Sequence, residues 1–131
     1  MINSRDLMDL LPIVAAKASA FKSTCKAQGI DIIFTSTYRD AENQAALYAQ
    51  GRTTPGRIVT NAKDGESFHN YKCAFDFAPI VNGKIDWNDA NTFTKCGIIA
   101  ESVGLEWAGR WTTFREFPHF QHPQAKTLRS P

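Results

Sequence analysis

The sequence predicts an α+β fold in which a small antiparallel sheet is flanked by helices. Two segments, 12–28 and 89–103, carry apolar residues at the spacing of a helix that buries one face. Short runs rich in β-branched and aromatic residues, which are typical of strands, lie at 30–36, 73–81 and 119–121. Asn82-Gly83 is a two-residue turn signal that joins two antiparallel strands.

The first long helix has clear boundaries in the sequence. Asn3 or Ser4 is expected to cap a short helical turn that ends at Leu10. Pro12 then suits the first turn of the long helix, because its missing N–H would have no partner there in any case. Gly29 fits the position after the helix end. We expect this helix only to pack on the core.

A strand and a second helix follow, with an arginine between them. Residues 30–36 form the strand, and Asp40 is expected to cap a helix over 41–50. Arg39 lies at the junction, where its side chain can point into a cleft. Without further context, the simpler interpretation is a surface arginine paired with Asp40 or Glu42.

The remaining sequence combines a long polar loop with further regular elements. Residues 51–65 contain Pro55 and several glycines without an apolar period, which predicts a surface loop of the length often found in lids and binding loops. Asp86 or Asp89 is expected to cap the last predicted helix. The sequence from Pro123 onwards is polar, and we expect a loose tail.

Length and composition indicate one globular domain over residues 1–131. A chain of 131 residues with 43% hydrophobic residues can bury a core without the help of disulfides or structural metal ions. The formal net charge of +2 gives no reason to expect nucleic-acid binding. Cys25, Cys73 and Cys96 lack C-x-x-C spacing and are expected to be free buried thiols, with a structural zinc site as the alternative.

The sequence also bears on where the protein acts. The N-terminal residues Met-Ile-Asn-Ser-Arg-Asp lack a basic stretch followed by an apolar one, so we expect no secretory signal. No apolar run is long enough to insert into a membrane. We therefore expect synthesis in the cytosol, and a substrate outside it would require a separate route of release. Nothing in the sequence demands more than a monomer.

Two segments carry the residue types of a metal site. One contains His69 and Asp76, and the other contains Glu116 and His119. Two imidazoles and one carboxylate are ligands that zinc takes when its fourth position is kept for water, and a further glutamate could act as a base. Asp76 lies in an apolar run, where an unpaired carboxylate is costly, so a metal or Arg39 must be its partner.

The spacing of these residues requires two bends in the chain. On a regular strand, positions seven apart face opposite sides and lie roughly 23 Å apart. We therefore place a turn at 70–72, after which Asp76 faces the site and its two phenylalanine neighbours face away. Pro118 favours a second bend that brings Glu116 and His119 together. His122 is an alternative third ligand.

Four segments together form a more specific pattern: Thr35-Ser-Thr-Tyr-Arg39, Leu47-Tyr-Ala-Gln-Gly-Arg52, Ser67-Phe-His69 with Asp76, and Glu116-Phe-Pro-His119-Phe. This pattern resembles the LAS (M15) family of zinc peptidases. The most similar branch is the L-alanyl-D-glutamate endopeptidases, which occur as phage endolysins and as bacterial wall hydrolases. The resemblance runs from about Ile30 to Gln121, and the joint spacing S-x-H-x(6)-D with a downstream E-x-x-H is its most specific part.

The resemblance implies a role for each matching residue. It implies three zinc ligands, His69, Asp76 and His119. Glu116 would act as the general base, and Arg39 would help to bind the substrate or to stabilise the developing oxyanion. Ser67, two positions before the first ligand, would lie beside the substrate and support the site.

The sequence departs from the family pattern at two places. Lys72-Cys73 stands where relatives often have small residues, and Arg110 precedes Trp111 where an acidic residue is expected. Neither departure touches a ligand. Cys73 is a nucleophile by residue type, but no histidine has a positional argument for activating it.

The resemblance implies a hedgehog/D,D-peptidase-like fold and zinc-dependent cleavage of peptidoglycan stem peptides between L-alanine and D-glutamate. A lone catalytic domain resembles the bacteriolytic endolysins of phages that infect Gram-negative hosts, which a holin releases to the cell wall in the periplasm. Two alternatives stay open. One is a D,D-carboxypeptidase or D,D-dipeptidase of the same family, and the other is a non-catalytic wall-binding or structural protein on this fold.

Overall fold

The computed structural model describes residues 1–113 and 115–129, without the side chain of Arg129. Its helices are α1 (Pro12–Ala27), α2 (Ala41–Ala49), α3 (Ala90–Ser102) and α4 (Ala125–Arg129). Its strands are β1 (Ile32–Ser36), β2 (Ala74–Val81), β3 (Lys84–Ile85), β4 (Glu106–Trp107) and β5 (His119–Gln121). Short 3-10 turns lie at Leu7–Asp9, Phe68–Tyr71 and Ala108–Arg110.

The strands form one antiparallel sheet with β2 near its centre. The order is β1-β2-β5-β4, and β3 pairs with the far end of β2. The β2–β3 connection is the predicted hairpin, because Asn82 and Gly83 both have positive φ, at 53° and 77°, as a two-residue turn of this kind requires. The predicted α+β fold with flanking helices is confirmed.

One face of the sheet forms the core beneath α1 and α3. Phe75 and Phe77 of β2 and Phe120 of β5 are fully buried with Phe21 of α1. The ring of Phe21 lies 5.2 Å from that of Phe77 and 4.9 Å from that of Phe120, in edge-on contacts that aromatic rings favour. The prediction that the neighbours of Asp76 face away from the site is confirmed.

The helix caps match the sequence in two cases and differ in one. The side chain of Asp40 accepts from Asn43 N, and Asp89, rather than Asp86, accepts from Thr92 N. The first turn is capped by Asp6, so the prediction of Asn3 or Ser4 was wrong. Both of those residues belong instead to a segment that pairs with the end of β1, where Asn3 bridges to Arg39 and Ser4 N donates to Tyr38 O.

The end of the chain also differs from the prediction. Residues from Pro123 are not a loose tail within the described range, because Ala125–Arg129 forms α4 and Ala125 is buried. The start of α4 is tied down by hydrogen bonds from His122 N to Cys73 O and from Gln124 N to His122 Nδ1. A histidine side chain that accepts from the backbone was not visible as a helix-start signal in the sequence.

Two further features of the described residues bear on class. No helix among them is long and apolar enough to cross a membrane. The three cysteines are buried and form no disulfide with one another, as predicted. Within residues 1–113 and 115–129, the one cluster that could hold a metal contains no cysteine, which leaves the alternative of a cysteine zinc site without support.

Candidate metal centre

Three predicted ligands converge on one point at the surface of the sheet. His69, Asp76 and His119 each offer a ligand atom within 4.8 Å of the other two. Asp76 Oδ1 lies 3.2 Å from His69 Nε2 and 3.0 Å from His119 Nδ1. All three side chains are buried or partly buried.

Local structure explains this convergence. Asp76 and His119 are directly opposite each other on the antiparallel strands β2 and β5, so their side chains share a face. His69 comes from the 3-10 turn Phe68–Tyr71, which ends at Lys72 in a left-handed conformation with φ of 62°. The turn predicted at 70–72 is therefore confirmed, and it reverses the chain between the two ligands.

The hydrogen bonds on the outer side of each imidazole fix its tautomer. His69 Nδ1 lies 2.9 Å from Thr37 O, and a carbonyl oxygen can only accept, so Nδ1 carries the proton. His119 Nε2 lies 3.0 Å from Gln121 Oε1, whose amide is oriented by its own donation to Glu106. In its neutral form, each ring therefore turns an unprotonated nitrogen towards Asp76, which is the form that a metal needs. When His119 is protonated, its Nδ1 donates to Asp76 Oδ1 instead.

The electrostatics of the cluster follow from burial and from this pairing. Burial lowers the pKa of His69, although Asp76 acts against it. Burial acts in the same direction on His119, but the hydrogen bond and charge of Asp76 outweigh it and raise the pKa of His119. Burial would raise the pKa of Asp76, yet the two histidines hold it well below its usual range. The carboxylate therefore stays anionic, which favours positively charged partners.

Arg39 is the second partner of Asp76. Its side chain is 13% exposed, and Nη2 donates to Asp76 Oδ2 at 3.0 Å. Its Nε donates to Ser36 Oγ at 3.1 Å, and its Nη1 donates to Gln44 Oε1 at 3.0 Å. The simpler interpretation of a surface arginine paired with Asp40 or Glu42 was wrong, because β1 carries Arg39 to the strand that holds Asp76.

Ser67 lies at the entrance to the turn that carries His69. Its hydroxyl caps the 3-10 turn by accepting from His69 N at 3.2 Å. Asn70 in the same turn donates to the carbonyl oxygens of Arg39 and Asp40, which ties the turn to the end of β1. The side chain of Ser67 therefore helps to set the position of the first histidine.

Glu116 lies beside the cluster in an open cavity of about 730 Å³. Phe117 and Pro118 form a turn just before β5, and Glu116 lines the same cavity as His119. Burial raises the pKa of Glu116, while the charges of His119 and Arg39 act in the opposite direction. Its carboxylate is half-buried, and it is placed to exchange a proton within the cavity.

Other candidate residues lie outside the cluster. His122 is not part of the ligand group among the described residues, and its Nδ1 accepts from Gln124 N. The Cys73 thiol lies 3.2 Å from Tyr71 O, in the interior. Arg110 is exposed and forms a two-pronged ion pair with Glu101.

Sequence reasoning missed the residues that hold Arg39 and the predicted metal ligands in place. Gln44 and Gln121 are buried, and Gln121 follows His119 by two positions on the same face of β5. A glutamine two residues after a predicted ligand on a strand was an available signal for an outer-sphere partner. No such signal existed for Thr37, because its contribution is a main-chain carbonyl.

The donor set fits a divalent metal of the zinc type. In the neutral form of both rings, two lone-pair nitrogens and a carboxylate oxygen face one another, and all three residues line the cavity. Each imidazole has the outer hydrogen bond that orients metal-binding histidines. With a half-buried glutamate beside it, this arrangement defines the class of the protein as a metallohydrolase.

Comparison with known proteins narrows this class. Residues 60–122 match the M15 peptidase model described as D-alanyl-D-alanine carboxypeptidase. The peptidoglycan L-alanyl-D-glutamate endopeptidase CwlK of Bacillus subtilis is 40% identical over 122 residues, which cover 86% of this chain and 73% of CwlK. The chain belongs to the M15 peptidase family. It is therefore a peptidase by family as well as by the chemistry of its site.

Two further relatives extend the comparison. The L-alanyl-D-glutamate peptidase of Listeria phage A118 is 30% identical over 98 residues, which cover 73% of this chain but only 32% of the phage protein. The crystal structure of the Serratia marcescens L-Ala D-Glu endopeptidase ChiX superposes with a TM-score of 0.72 at 16% identity, over 97% of this chain and 92% of ChiX. The structural similarity to ChiX confirms the fold class.

Proposed function

We propose that this protein is a zinc-dependent endopeptidase that cleaves the L-alanyl-D-glutamate bond of peptidoglycan stem peptides. The observation that carries the proposal is the convergence of His69, Asp76 and His119 on one point, with one ring nitrogen of each histidine directed inward. The 40% identity to CwlK supports the choice of bond. In this proposal, those three residues are the zinc ligands.

The metal and the protein divide the chemistry between them. Zinc, when bound, activates water and polarises the scissile carbonyl. Glu116 takes the proton from the attacking water and returns it to the leaving amine, a role suited to a half-buried carboxylate whose pKa is raised by burial. The same side chain therefore acts first as a base and then as an acid.

Arg39 and Ser67 have supporting roles in the mechanism. Arg39 lines the cavity, and its charge is held at one end by Asp76. We assign it to stabilising the developing oxyanion and binding substrate, since a fixed cation next to the reacting carbonyl needs no rearrangement during the reaction. Ser67 lines the same cavity and keeps His69 in position while contacting the substrate.

The biological setting is part of the proposal. A relative from Listeria phage A118 supports the role of an endolysin that degrades the host cell wall. We propose that residues 1–131 act as a single, monomeric catalytic domain, and that a holin releases the protein to the wall. Lysis of host cells only when a holin is co-expressed would support this setting, and lysis without one would contradict the release route.

Mass spectrometry of digested peptidoglycan tests the reaction. Stem peptides that begin at D-glutamate should appear with the wild-type protein and be absent with His69→Ala. Loss of terminal D-alanine instead would favour a D,D-carboxypeptidase, the activity by which the matching family model is described. No cleavage by metal-loaded wild-type protein would contradict an enzymatic function and favour a wall-binding role.

A further inference from the structure

One segment of the long loop forms part of the cavity wall. Val59, Thr60, Asn61 and Ala62 line the same cavity as the metal centre and Glu116. They belong to the loop between α2 and the turn that carries His69, and they are not themselves part of a helix or strand. We call residues 59–62 the loop wall. Something else must hold this wall in place if it is to contribute to binding.

Arg52, the last residue of the Leu47-Tyr-Ala-Gln-Gly-Arg52 segment, contacts the loop wall at two points. Its Nη1 donates to Thr60 O at 3.0 Å, and its Nη2 donates to Asn61 Oδ1 at 3.2 Å. Nη1 also donates to Tyr48 O at 2.7 Å, at the end of α2. The guanidinium carbon lies 3.9 Å from the centre of the Tyr48 ring. Arg52 thus joins the helix end to the loop wall.

These contacts use properties that only arginine combines. A planar guanidinium can stack on an aromatic ring while its fork donates in several directions within one plane. A lysine would keep the positive charge, but it has a single nitrogen and no planar face. Arg52 does not line the cavity itself, so any effect it has on the substrate passes through the loop wall.

A second anchor holds the other end of the loop wall. Gln44 is fully buried and donates from Nε2 to Ala62 O at 2.8 Å. Its Oε1 accepts from Arg39, a residue of the proposed catalytic machinery. The two anchors therefore differ in kind, since Gln44 is coupled to the chemistry and Arg52 is not.

We propose that Arg52 is a positioning residue that holds the loop wall in place as a binding surface for the peptide substrate. This inference rests on the proposed function, because it assumes that a peptide occupies the cavity. Loss of Arg52 should weaken substrate binding without changing the chemical step, since the hydrogen bonds that hold His69, Asp76 and His119 do not involve Arg52.

Steady-state kinetics of Arg52→Lys on a soluble stem peptide tests the inference. We expect KM to rise about tenfold, the equivalent of one lost charged hydrogen bond, with kcat within about twofold of wild type. Arg57→Lys is the matched control, because Arg57 is an exposed arginine of the same loop whose side chain makes no hydrogen bond to a described residue. Its KM should equal that of the wild type.

Limited trypsin digestion gives a readout that does not depend on activity. Cleavage after Arg57 should be faster in Arg52→Lys than in the wild type, at equal melting temperature, because the loop wall is released. If Arg52→Lys does not fold, Asn61→Ala removes the hydrogen bond from Arg52 to Asn61. It should raise KM and speed trypsin cleavage in the same direction, by smaller amounts.

Three results would overturn the inference. An unchanged KM together with faster trypsin cleavage would show that the loop wall is held by Arg52 but does not bind substrate. An unchanged cleavage rate would show that Arg52 does not hold the wall. A fall in kcat at constant KM would place Arg52 in the chemistry. Absence of wild-type activity would instead refute the proposed function, while the digestion would still test whether Arg52 holds the loop wall.

Discussion

The two faces of the β2–β5 pair are built on opposite principles. On the inner face, Phe75 and Phe120 are cross-strand partners in a cluster of aromatic rings. On the outer face, one register position along, Asp76 and His119 are partners in a polar site. The inner face is held by many interchangeable contacts, whereas each group of the outer face depends on one or two specific hydrogen bonds.

This difference separates stability from activity on a single pair of strands. A core packed at high density loses free energy in proportion to the volume removed. A polar site loses function when one geometry is lost, even if the fold is unchanged. Substitutions on the inner face should therefore lower stability, and substitutions on the outer face should lower activity.

The largest effect is expected from Glu116→Gln, beside the outer face. This change keeps the size of the side chain but removes the proton acceptor, so kcat should fall about 10²- to 10⁴-fold. The melting temperature should stay the same, as measured by circular dichroism. Glu101→Gln is the control, because Glu101 pairs with exposed Arg110 away from the cavity. Equal activity of the two variants would contradict the role of Glu116.

The inner face should show the reverse behaviour in Phe77→Ala. Phe77 is fully buried and stacks on Phe120 at 4.9 Å, so its truncation should lower the free energy of unfolding by about 3–5 kcal/mol. Urea denaturation measures this loss. At a temperature where the variant is folded, kcat should remain close to the wild-type value. A large fall in kcat of the folded variant would break the separation of the two faces.

A smaller effect on the outer face is expected from Gln121→Ala. Removal of the acceptor for His119 Nε2 frees the imidazole to rotate, so the affinity for zinc should fall about 10- to 100-fold. Competition with a chromophoric chelator measures this change. Gln124→Ala is the matched control, since the Gln124 side chain is exposed and only its backbone forms hydrogen bonds to the residues that the structure describes. Identical affinities would show that Gln121 does not orient the ligand.

The smallest effect is expected at Asp89, which caps α3 and belongs to neither face of the β2–β5 pair. Its pKa is lowered by hydrogen bonds from Thr92, so the cap stabilises the fold above the ordinary carboxyl pKa and is lost as pH falls through the lowered value. Asp89→Ala should lower the melting temperature at pH 7 and match the wild type in strong acid. Asp31→Ala, at an exposed carboxylate, should change neither. A pH-independent difference would contradict the cap.

The sequence was most informative where a local rule applied. The alternation along β2 placed Asp76 opposite its phenylalanine neighbours, because side chains of a strand point to alternate faces. The turn before Cys73 followed from the distance that two ligands must span. The proposed ligand set came from the family resemblance as well as from residue type, and the role of each residue stays a prediction.

The sequence was least informative where partners lie far apart in the chain. Asp76 and Arg39 are 37 positions apart, and only the pairing of β1 with β2 brings them together. The carbonyl of Thr37 is common to every residue type and leaves no trace in the sequence. The helix α4 was missed because its first hydrogen bonds are made by a histidine side chain and by the backbone of Cys73.

The central position of Asp76 has a consequence for how a metal would bind to this protein. Asp76 lies between Ser36 of β1 and His119 of β5, and both histidines are anchored by the protein itself. In small zinc domains, folding and metal uptake are one event, because the ligands have no order without the ion. Here hydrogen bonds to the protein orient two of the three proposed ligands, so we expect the chain to fold without the ion and to bind it in a separate step.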